Sequence, residues 1–115
     1  MNDVRLALVI PAYNAERFLP ALFEDLRRQS AAFDQVVVCD DASTDATADV
    51  ARRLGAEVVR NQRNAGCSQA KNRALEAVRC AWVHFHDADD LLAEGFVARA
   101  RAHRRGRRGI RCAAV

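Results

Sequence analysis

The sequence contains no apolar run that approaches the roughly 18 residues of a membrane-spanning helix. Its N-terminal stretch, MNDVRLALVIPAYN, is apolar over too few residues for a secretory signal. The four cysteines include no Cys-x-x-Cys pair, which argues against a disulfide scaffold or a zinc site. We therefore expect a cytoplasmic protein with buried, reduced thiols, with peripheral contact to a membrane surface as a further option.

Acidic residues are missing from the C-terminal end of the chain. No Asp or Glu follows Glu94, whereas residues 99–115 contain seven arginines and a net charge of +7. Residues 1–98 contain 11 basic and 15 acidic residues, a net −4. This break predicts a domain at 1–98 and an Arg-rich tail at 99–115, helical at first and then loosely packed. Such a tail can bind nucleic acid or an anionic membrane. A solvated tail is the simpler interpretation, and no nucleic-acid partner is expected.

Buried-strand patterns alternate with helical patterns along the rest of the chain. The predicted strands are Val4–Ile10, Gln35–Cys39, Glu57–Arg60 and Ala81–Phe85. The first predicted helix buries Phe18 to Leu26, and the second buries Ala46 to Leu54 after a cap at Ser43 or Thr44 and before a stop at Gly55. A third helix, from about Cys67 to Val78, is expected to bury Ala70, Ala74, Leu75 and Val78, and a last helix begins near Ala93. This alternation is typical of a Rossmann-like three-layer α/β/α fold with an all-parallel sheet, for which we expect the strand order 3-2-1-4.

The unusual residues of the sequence follow the predicted strands. Ligands of open parallel sheets bind beyond the carboxyl ends of the strands, so four loops are expected to meet at one rim. The candidate rim residues are Pro11, Tyr13 and Asn14, then Asp40 and Asp41, then Asn61, Arg63, Asn64 and Gly66, then His86, Asp87, Asp89 and Asp90. This convergence predicts a binding site at that edge of the sheet.

The motif HFHDADD carries the acidic part of the rim. On extended backbone Asp87 and Asp89 point the same way, and two carboxylates on one side suit a hard cation, Mg²⁺ or Mn²⁺. The alternative, a helix N-terminal cap, is favoured for Asp90 alone. His84 and His86 share a face, but their spacing matches no recognised zinc motif. We expect His84 to be a partly buried strand residue and His86 to line the rim.

The other rim residues each allow two interpretations. Asp40 and Asp41 can cap the next helix, or accept hydrogen bonds from a nucleotide base or ribose. Tyr13 can stack on a base or cover the edge of the sheet. Gly66 opens a helix, where backbone N–H groups can approach an anion. Lys71 or Arg73 can support a phosphate, although for Arg73 a solvated helix face or an ion pair with Asp40 or Asp87 is favoured.

Four motifs in this order resemble the N-terminal half of family 2 glycosyltransferases of the GT-A fold. They are VIPAYNAERFLPALFEDLRRQS, VVVCDDASTDAT, NQRNAGCSQAKNRALEA and WVHFHDADD, and the resemblance covers about residues 4–92. It implies a nucleotide loop at Pro11, Tyr13 and Asn14, and a base contact from Asp41 with Asp40 in support. It also implies that Asn64, Gly66, Lys71, Asn72 and Arg73 lie beside the nucleotide. Asp87 and Asp89 match the D-x-D pair, with Asp89 the metal ligand and Asp87 a ligand of ribose or metal.

The resemblance implies transfer of a sugar from a nucleotide-sugar donor, a UDP-sugar, with Mg²⁺ or Mn²⁺; the acceptor is unknown. Family members continue for roughly as long again and supply an aspartate base there, whereas no acid follows Glu94. We therefore expect a truncated GT-A domain that is incomplete for transfer. The alternative is a non-catalytic nucleotide-binding module or gene fragment. A response-regulator-like domain is disfavoured, because PAYN stands where its acidic pair would follow the first strand.

Overall fold

A parallel β-sheet forms the centre of the structure, a computed structural model that describes residues 5–29, 32–90, 96–99 and 111–112. Its strands are β1 (Leu6–Ala12), β2 (Gln35–Asp40), β3 (Glu57–Arg60), β4 (Trp82–Phe85) and β5 (Arg111–Cys112), in the order β3-β2-β1-β4-β5. All the pairings are parallel, so the predicted order 3-2-1-4 is confirmed. The sequence analysis does not predict β5, which falls within the expected loosely packed tail. Most of that tail lies outside the described residues.

Strand β1 occupies the middle of the sheet and runs two residues further than its sequence predicts. It pairs with β2 as far as Ala12, opposite Asp40, but with β4 only as far as Val9, opposite Phe85. Pro11 has no N–H to donate, which excludes it from most central strands. It is tolerated here because β4 has already ended at that level, so that β2 is its only neighbouring strand.

Helices cover both faces of the sheet, as the three-layer prediction requires. On one face Leu8, Ile10 and Val38 pack against α1 (Leu19–Arg28) and α2 (Thr47–Arg53). On the other face Val9, Val37 and Val83 pack against Ala70 and Ala74 of α3 (Cys67–Leu75). Helix α3 ends three residues before the predicted Val78, and Leu75 is exposed instead of buried. None of the described helices is both long and apolar enough to span a bilayer.

The ends of α2 show where local signals succeed and fail. Gly55 ends the helix with φ +98°, and the N–H groups of Gly55 and Ala56 donate to the carbonyls of Arg52 and Ala51. This is a Schellman motif, which favours glycine at that position. The predicted cap is wrong, because α2 begins only at Thr47 and neither Ser43 nor Thr44 caps it. Both residues instead bond to the loop after β1.

Two of the cysteines have described side chains, those of Cys39 and Cys80. Both are buried reduced thiols, as predicted. Burial, with a smaller contribution from Asp41 and Asp40, raises the pKa of the Cys39 thiol to about 11. Since the thiolate is the reactive form of cysteine, Cys39 is an inert core residue at neutral pH.

Candidate functional site

Two adjoining clefts open at the edge where β1 to β4 end, called here the strand-end edge. The first has a volume of about 200 Å³ and the second of about 320 Å³. The first is lined by Pro11, Ala12, Tyr13, Asp41, Asn64, Gly66, Ala70 and Asp87. The second shares Pro11, Ala12, Tyr13 and Asp87 and adds Ala15, Phe18, Ala88 and Asp89. The structure thus brings seven predicted site residues to one place, namely Pro11, Tyr13, Asp41, Asn64, Gly66, Asp87 and Asp89.

The loop after β1 presents Tyr13 to solvent. The side chain is 51% exposed, which is unusual for a large aromatic residue in the described part of the chain. The next residue, Asn14, has φ +49°, in the left-handed region that asparagine tolerates better than most residues. Its Oδ1 accepts hydrogen bonds from the N–H and Oγ1 of Thr44, at 2.9 and 3.2 Å, and its N–H donates to Ser43 Oγ at 2.8 Å. Asn14 therefore fixes the loop that carries Tyr13 and does not itself line a cleft.

Further hydrogen bonds join the same loop to the loop after β2. The N–H of Ala15 donates to Thr47 Oγ1 at 2.9 Å, and the N–H of Glu16 donates to Asp45 Oδ2 at 3.3 Å. Asp45 in turn accepts hydrogen bonds from the N–H and hydroxyl of Thr47. Burial alone would raise the pKa of Asp45, but these hydrogen bonds outweigh it and lower that pKa below its usual value. The two loops consequently form one preorganised unit beneath Tyr13.

Asp41 lines the first cleft and accepts hydrogen bonds from the loop after β3. Its Oδ1 accepts from Asn61 Nδ2 at 2.7 Å and from the N–H of Ala65 at 2.9 Å, and its Oδ2 accepts from the N–H of Gly66 at 2.9 Å. Burial opposes the charge of Asp41, but the hydrogen bonds from Ala65, Asn61 and Gly66 together lower its pKa. The anion at the N-terminus of α3 is thus a carboxylate of the chain itself. Oδ2 accepts one of the described hydrogen bonds, whereas a carboxylate oxygen can accept two.

Asp40 is buried beside Asp41 but lines neither cleft. Its Oδ1 accepts a hydrogen bond from the N–H of Ser43 at 2.9 Å, and its Oδ2 lies 3.5 Å from Arg60 Nε. Arg60 also donates to the carbonyl of Ser43 at 3.1 Å. Asp40 therefore holds the turn before α2, and its implied support of a base contact stays a prediction.

Residues 87–90, called here the acidic turn, carry the exposed carboxylates of the strand-end edge. Asp87, Asp89 and Asp90 each place one carboxylate oxygen within 4.8 Å of the other two. The backbone is a turn, closed by the Asp90 N–H to the Asp87 carbonyl at 3.1 Å, and is not the extended segment expected. Ala88, which lies between Asp87 and Asp89 in the sequence, is buried in the core. No arginine or lysine in the described part of the chain forms an ion pair with these three carboxylates.

Three residues of α3 that the resemblance places beside a nucleotide, Lys71, Asn72 and Arg73, line neither cleft. Lys71 places Nζ 5.4 Å from the centroid of the Phe85 ring, a cation–π contact. Arg73 pairs with Glu76 at 3.3 Å on the exposed face of the helix, and not with Asp40 or Asp87. The preferred interpretation of Arg73 as a solvated helix residue therefore agrees with the structure. Arg73 lines neither cleft, so its implied contact with a nucleotide stays a prediction.

Several residues build the site through contacts that the sequence patterns do not predict. Asn61 fixes Asp41, while Ser43, Asp45 and Thr47 fix the loop below Tyr13. Asn61 was recognisable as a polar residue directly after β3. The other three look like helix-capping residues in sequence, and only their contacts with the loop after β1 reveal what they do.

A sequence model described as "Glycosyl transferase family 2" matches residues 7–105. The chain belongs to this family. The match runs past residue 98, so the domain boundary placed there remains a prediction. Glycosyltransferase GlyA of Streptococcus pneumoniae is 29% identical over 99 residues, which are 83% of this chain and 14% of GlyA. The chain spans 14–37% of the length of the curated relatives it matches.

Several solved structures share the fold of this chain. Staphylococcus aureus TarS 1–349 in complex with UDP superposes with a TM-score of 0.78 at 28% identity, over 88% of this chain and 32% of that chain. The mannosyltransferase PcManGT of Pyrobaculum calidifontis in complex with GDP-Man and Mn²⁺ gives a TM-score of 0.77 at 28% identity, over 87% of this chain and 33% of that chain. These neighbours confirm the Rossmann-like GT-A fold, and the chain spans about a third of their length.

Proposed function

We propose that this family 2 glycosyltransferase chain binds the nucleotide diphosphate part of a UDP-sugar, with Mg²⁺ or Mn²⁺, for transfer of the sugar to an acceptor. The observation that carries the proposal is the arrangement of the clefts. An exposed aromatic ring, a buried carboxylate and an exposed acidic turn lie along one continuous edge. The neighbours in complex with UDP and with GDP-Man and Mn²⁺ support the same class of ligand.

The first cleft suits a pyrimidine base. The ring of Tyr13 is available for stacking on the base. Oδ2 of Asp41 can accept one hydrogen bond from the N–H group of a base, and uracil has such a group. An ionised carboxylate is a strong acceptor for this hydrogen bond. The lowered pKa of Asp41 keeps the carboxylate ionised at neutral pH and therefore acceptor-only. In this role Asp41 selects a base that presents an N–H toward it.

The acidic turn suits a hard divalent cation. Three carboxylate oxygens within 4.8 Å of one another, without a described cation partner, match the oxygen ligands that Mg²⁺ and Mn²⁺ prefer. Asp89 and Asp87 are the proposed ligands, since both line the clefts. Such an ion, when bound, neutralises charge that develops on a diphosphate leaving group. Asp90, expected to be only a helix cap, lies close enough to take part.

Residues 1–115 alone are expected to bind the donor without transferring sugar efficiently. An inverting transfer also needs a base to deprotonate the acceptor hydroxyl, and Glu94 is the last acid in the sequence. Glu94 lies outside the described residues. We expect at most slow hydrolysis of a UDP-sugar in a UDP-release assay with a panel of donors and acceptors. Turnover of about 1 s⁻¹ or more, an ordinary enzyme rate, would contradict this.

Titration calorimetry with UDP tests the proposal directly. Wild-type chain should bind UDP more tightly with Mn²⁺ than with EDTA, and Asp89→Asn should remove most of that difference. Asp49→Asn is the matched control, because it removes the same charge from an exposed carboxylate on α2. Equal UDP affinity with and without metal would overturn the metal assignment. Metal-dependent UDP binding without any turnover, even in a chain extended to the length of its relatives, would favour the non-catalytic nucleotide-binding module.

A further inference from the structure

Two histidines connect the acidic turn to the core. His84 is buried on β4, with its ring 4.6 Å from that of Phe96 and 6.4 Å from that of Phe33, centroid to centroid. It is more buried than the sequence predicts. Its Nε2 lies 3.2 Å from His86 Nδ1, and His86 Nε2 lies 3.0 Å from the carbonyl oxygen of Asp90. A continuous line of hydrogen bonds thus runs from a packed aromatic cluster to the last residue of the acidic turn.

The partners fix the tautomers of both rings. A carbonyl oxygen can only accept, so His86 Nε2 must carry the hydrogen that it shares with Asp90. In a neutral imidazole the other nitrogen is then an acceptor, so His86 Nδ1 accepts. His84 Nε2 must therefore donate. The line has one direction, from His84 to His86 and from His86 to the Asp90 carbonyl.

The same turn is held by other contacts as well. The Asp90 N–H donates to the Asp87 carbonyl at 3.1 Å, the side chain of Ala88 is buried in the core cluster, and the His86 N–H donates to the Val9 carbonyl at 3.0 Å. The histidine line adds the one side-chain contact to the Asp90 carbonyl described for this turn. Without it the end of the turn would keep its backbone bond but lose its attachment to β4.

We propose that His84 and His86 are positioning residues that set the spacing of the carboxylates in the acidic turn before a divalent cation binds. The inference rests on the proposed metal-binding function of that turn. Both ring nitrogens of His86 are used by His84 and Asp90, so His86 acts through the turn and not as a metal ligand. Residues that orient metal ligands typically change metal affinity about 10- to 100-fold when removed.

Ring-nitrogen NMR tests the hydrogen-bond line without any ligand. In chain labelled with ¹⁵N-histidine, we expect both rings as Nε2–H tautomers and a coupling across the hydrogen bond between His84 and His86. His84→Phe should abolish the coupling while keeping an aromatic ring between Phe33 and Phe96. Protonation of His86 at Nδ1 in the neutral ring would overturn the inference.

Titration of Mn²⁺ alone, followed by its EPR signal, tests the positioning role. His86→Leu, which fills similar space without hydrogen bonds, should weaken Mn²⁺ binding by about tenfold. His86→Gln, whose amide can still donate to Asp90, should recover most of that affinity, and His84→Phe should lie between them. Binding of UDP in EDTA should be the same in all three variants, which shows that they remain folded.

The outcomes separate the inference from the function on which it rests. Wild-type chain that binds no Mn²⁺ would overturn the proposed metal site and this inference together. Wild-type chain that binds Mn²⁺ no more tightly than His86→Leu would overturn the inference alone. Equal loss of Mn²⁺ and metal-free UDP binding in His86→Leu would assign the histidines to general stability, which also contradicts the proposal.

Discussion

Hydrogen-bonded polar side chains lie at both edges of the sheet, but their surroundings differ. At the edge where the strands begin, called here the strand-start edge, Gln35 donates to Glu57 at 3.0 Å and to the Ala77 carbonyl at 2.8 Å, and accepts from the Arg79 N–H at 2.9 Å. Arg79 then pairs with Glu57 at 2.6 Å. Each charge in this network meets an opposite charge or an amide, so the edge is closed.

The strand-end edge is built differently. Asp41 accepts hydrogen bonds from amide and backbone N–H groups of the loop after β3, yet it also lines the first cleft. Asp87, Asp89 and Asp90 carry negative charge with no described cation beside them. The polar side chains of the strand-start edge therefore bind one another, whereas those of the strand-end edge line clefts that a ligand can enter. Changes at the strand-start edge should affect stability alone, whereas changes at the strand-end edge should affect stability and ligand binding together.

Asp41→Ala should have the largest effect, because it removes three hydrogen bonds from a buried carboxylate. Ala65, Gly66 and Asn61 would lose their acceptor, at a cost of about 3 kcal/mol in the free energy of unfolding. The Kd for UDP should rise roughly 30- to 150-fold, which corresponds to about 2–3 kcal/mol. Urea unfolding and UDP calorimetry measure both. Loss of stability without loss of UDP affinity would make Asp41 resemble the residues of the strand-start edge.

Gln35→Leu tests the opposite edge. Gln35 is buried, and its removal leaves the Arg79 N–H and the Ala77 carbonyl without their partner, at a cost of about 2 kcal/mol in the free energy of unfolding. UDP affinity of the folded fraction should equal that of wild type, because every group involved lies at the far end of the strands. A change in UDP affinity as large as that of Asp41→Ala would remove the distinction between the edges.

The sequence predicted the strands because burial on both faces leaves a direct apolar signal. It also placed seven site residues at one edge, because in a parallel sheet the residues after each strand must meet there. It failed where several polar residues could fill one role. Ser43 and Thr44 are good capping residues, but their tertiary bonds to Asn14 decide the matter. Such contacts between loops leave no periodic pattern in a sequence.

The acidic turn illustrates the same limit at shorter range. The spacing of Asp87 and Asp89 suggested a shared side of an extended strand, whereas the structure gathers their carboxylates by a turn around the buried Ala88. The closeness of the carboxylates was predicted although the backbone was not, because carboxylates this close in sequence can converge in either geometry. The role of Asn61 depends on a partner twenty residues away, and no local rule identifies it.

Lowering the pH should reduce the stability of the folded chain through Asp41. The pKa of Asp41 is lowered in the folded state, so its contribution is present above the unfolded value of about 3.9 and is lost as pH falls through the lower folded value. Between these values the unfolded chain binds more protons, and stability falls with falling pH. Urea midpoints measured from pH 6 to pH 2.5 should show a shallower acid decline in Asp41→Asn, measured from its own lower starting stability. An unchanged slope would contradict the assignment.

Glu57→Gln should have the smallest effect, although it breaks the 2.6 Å ion pair with Arg79. The side chains of Glu57 and Arg79 are 43% and 66% exposed, and solvent-exposed pairs contribute about 0.2–1 kcal/mol. Glutamine can still accept from Gln35, so the buried part of the network survives. We expect a loss of at most about 0.5 kcal/mol in urea unfolding and no change in UDP affinity. Arg79→Gln should give the same small loss, and the double variant should lose little more than either single one, because the two residues interact mainly with each other. A loss in either single variant as large as that of Gln35→Leu would show that the exposed pair, and not the buried amide, holds this edge together.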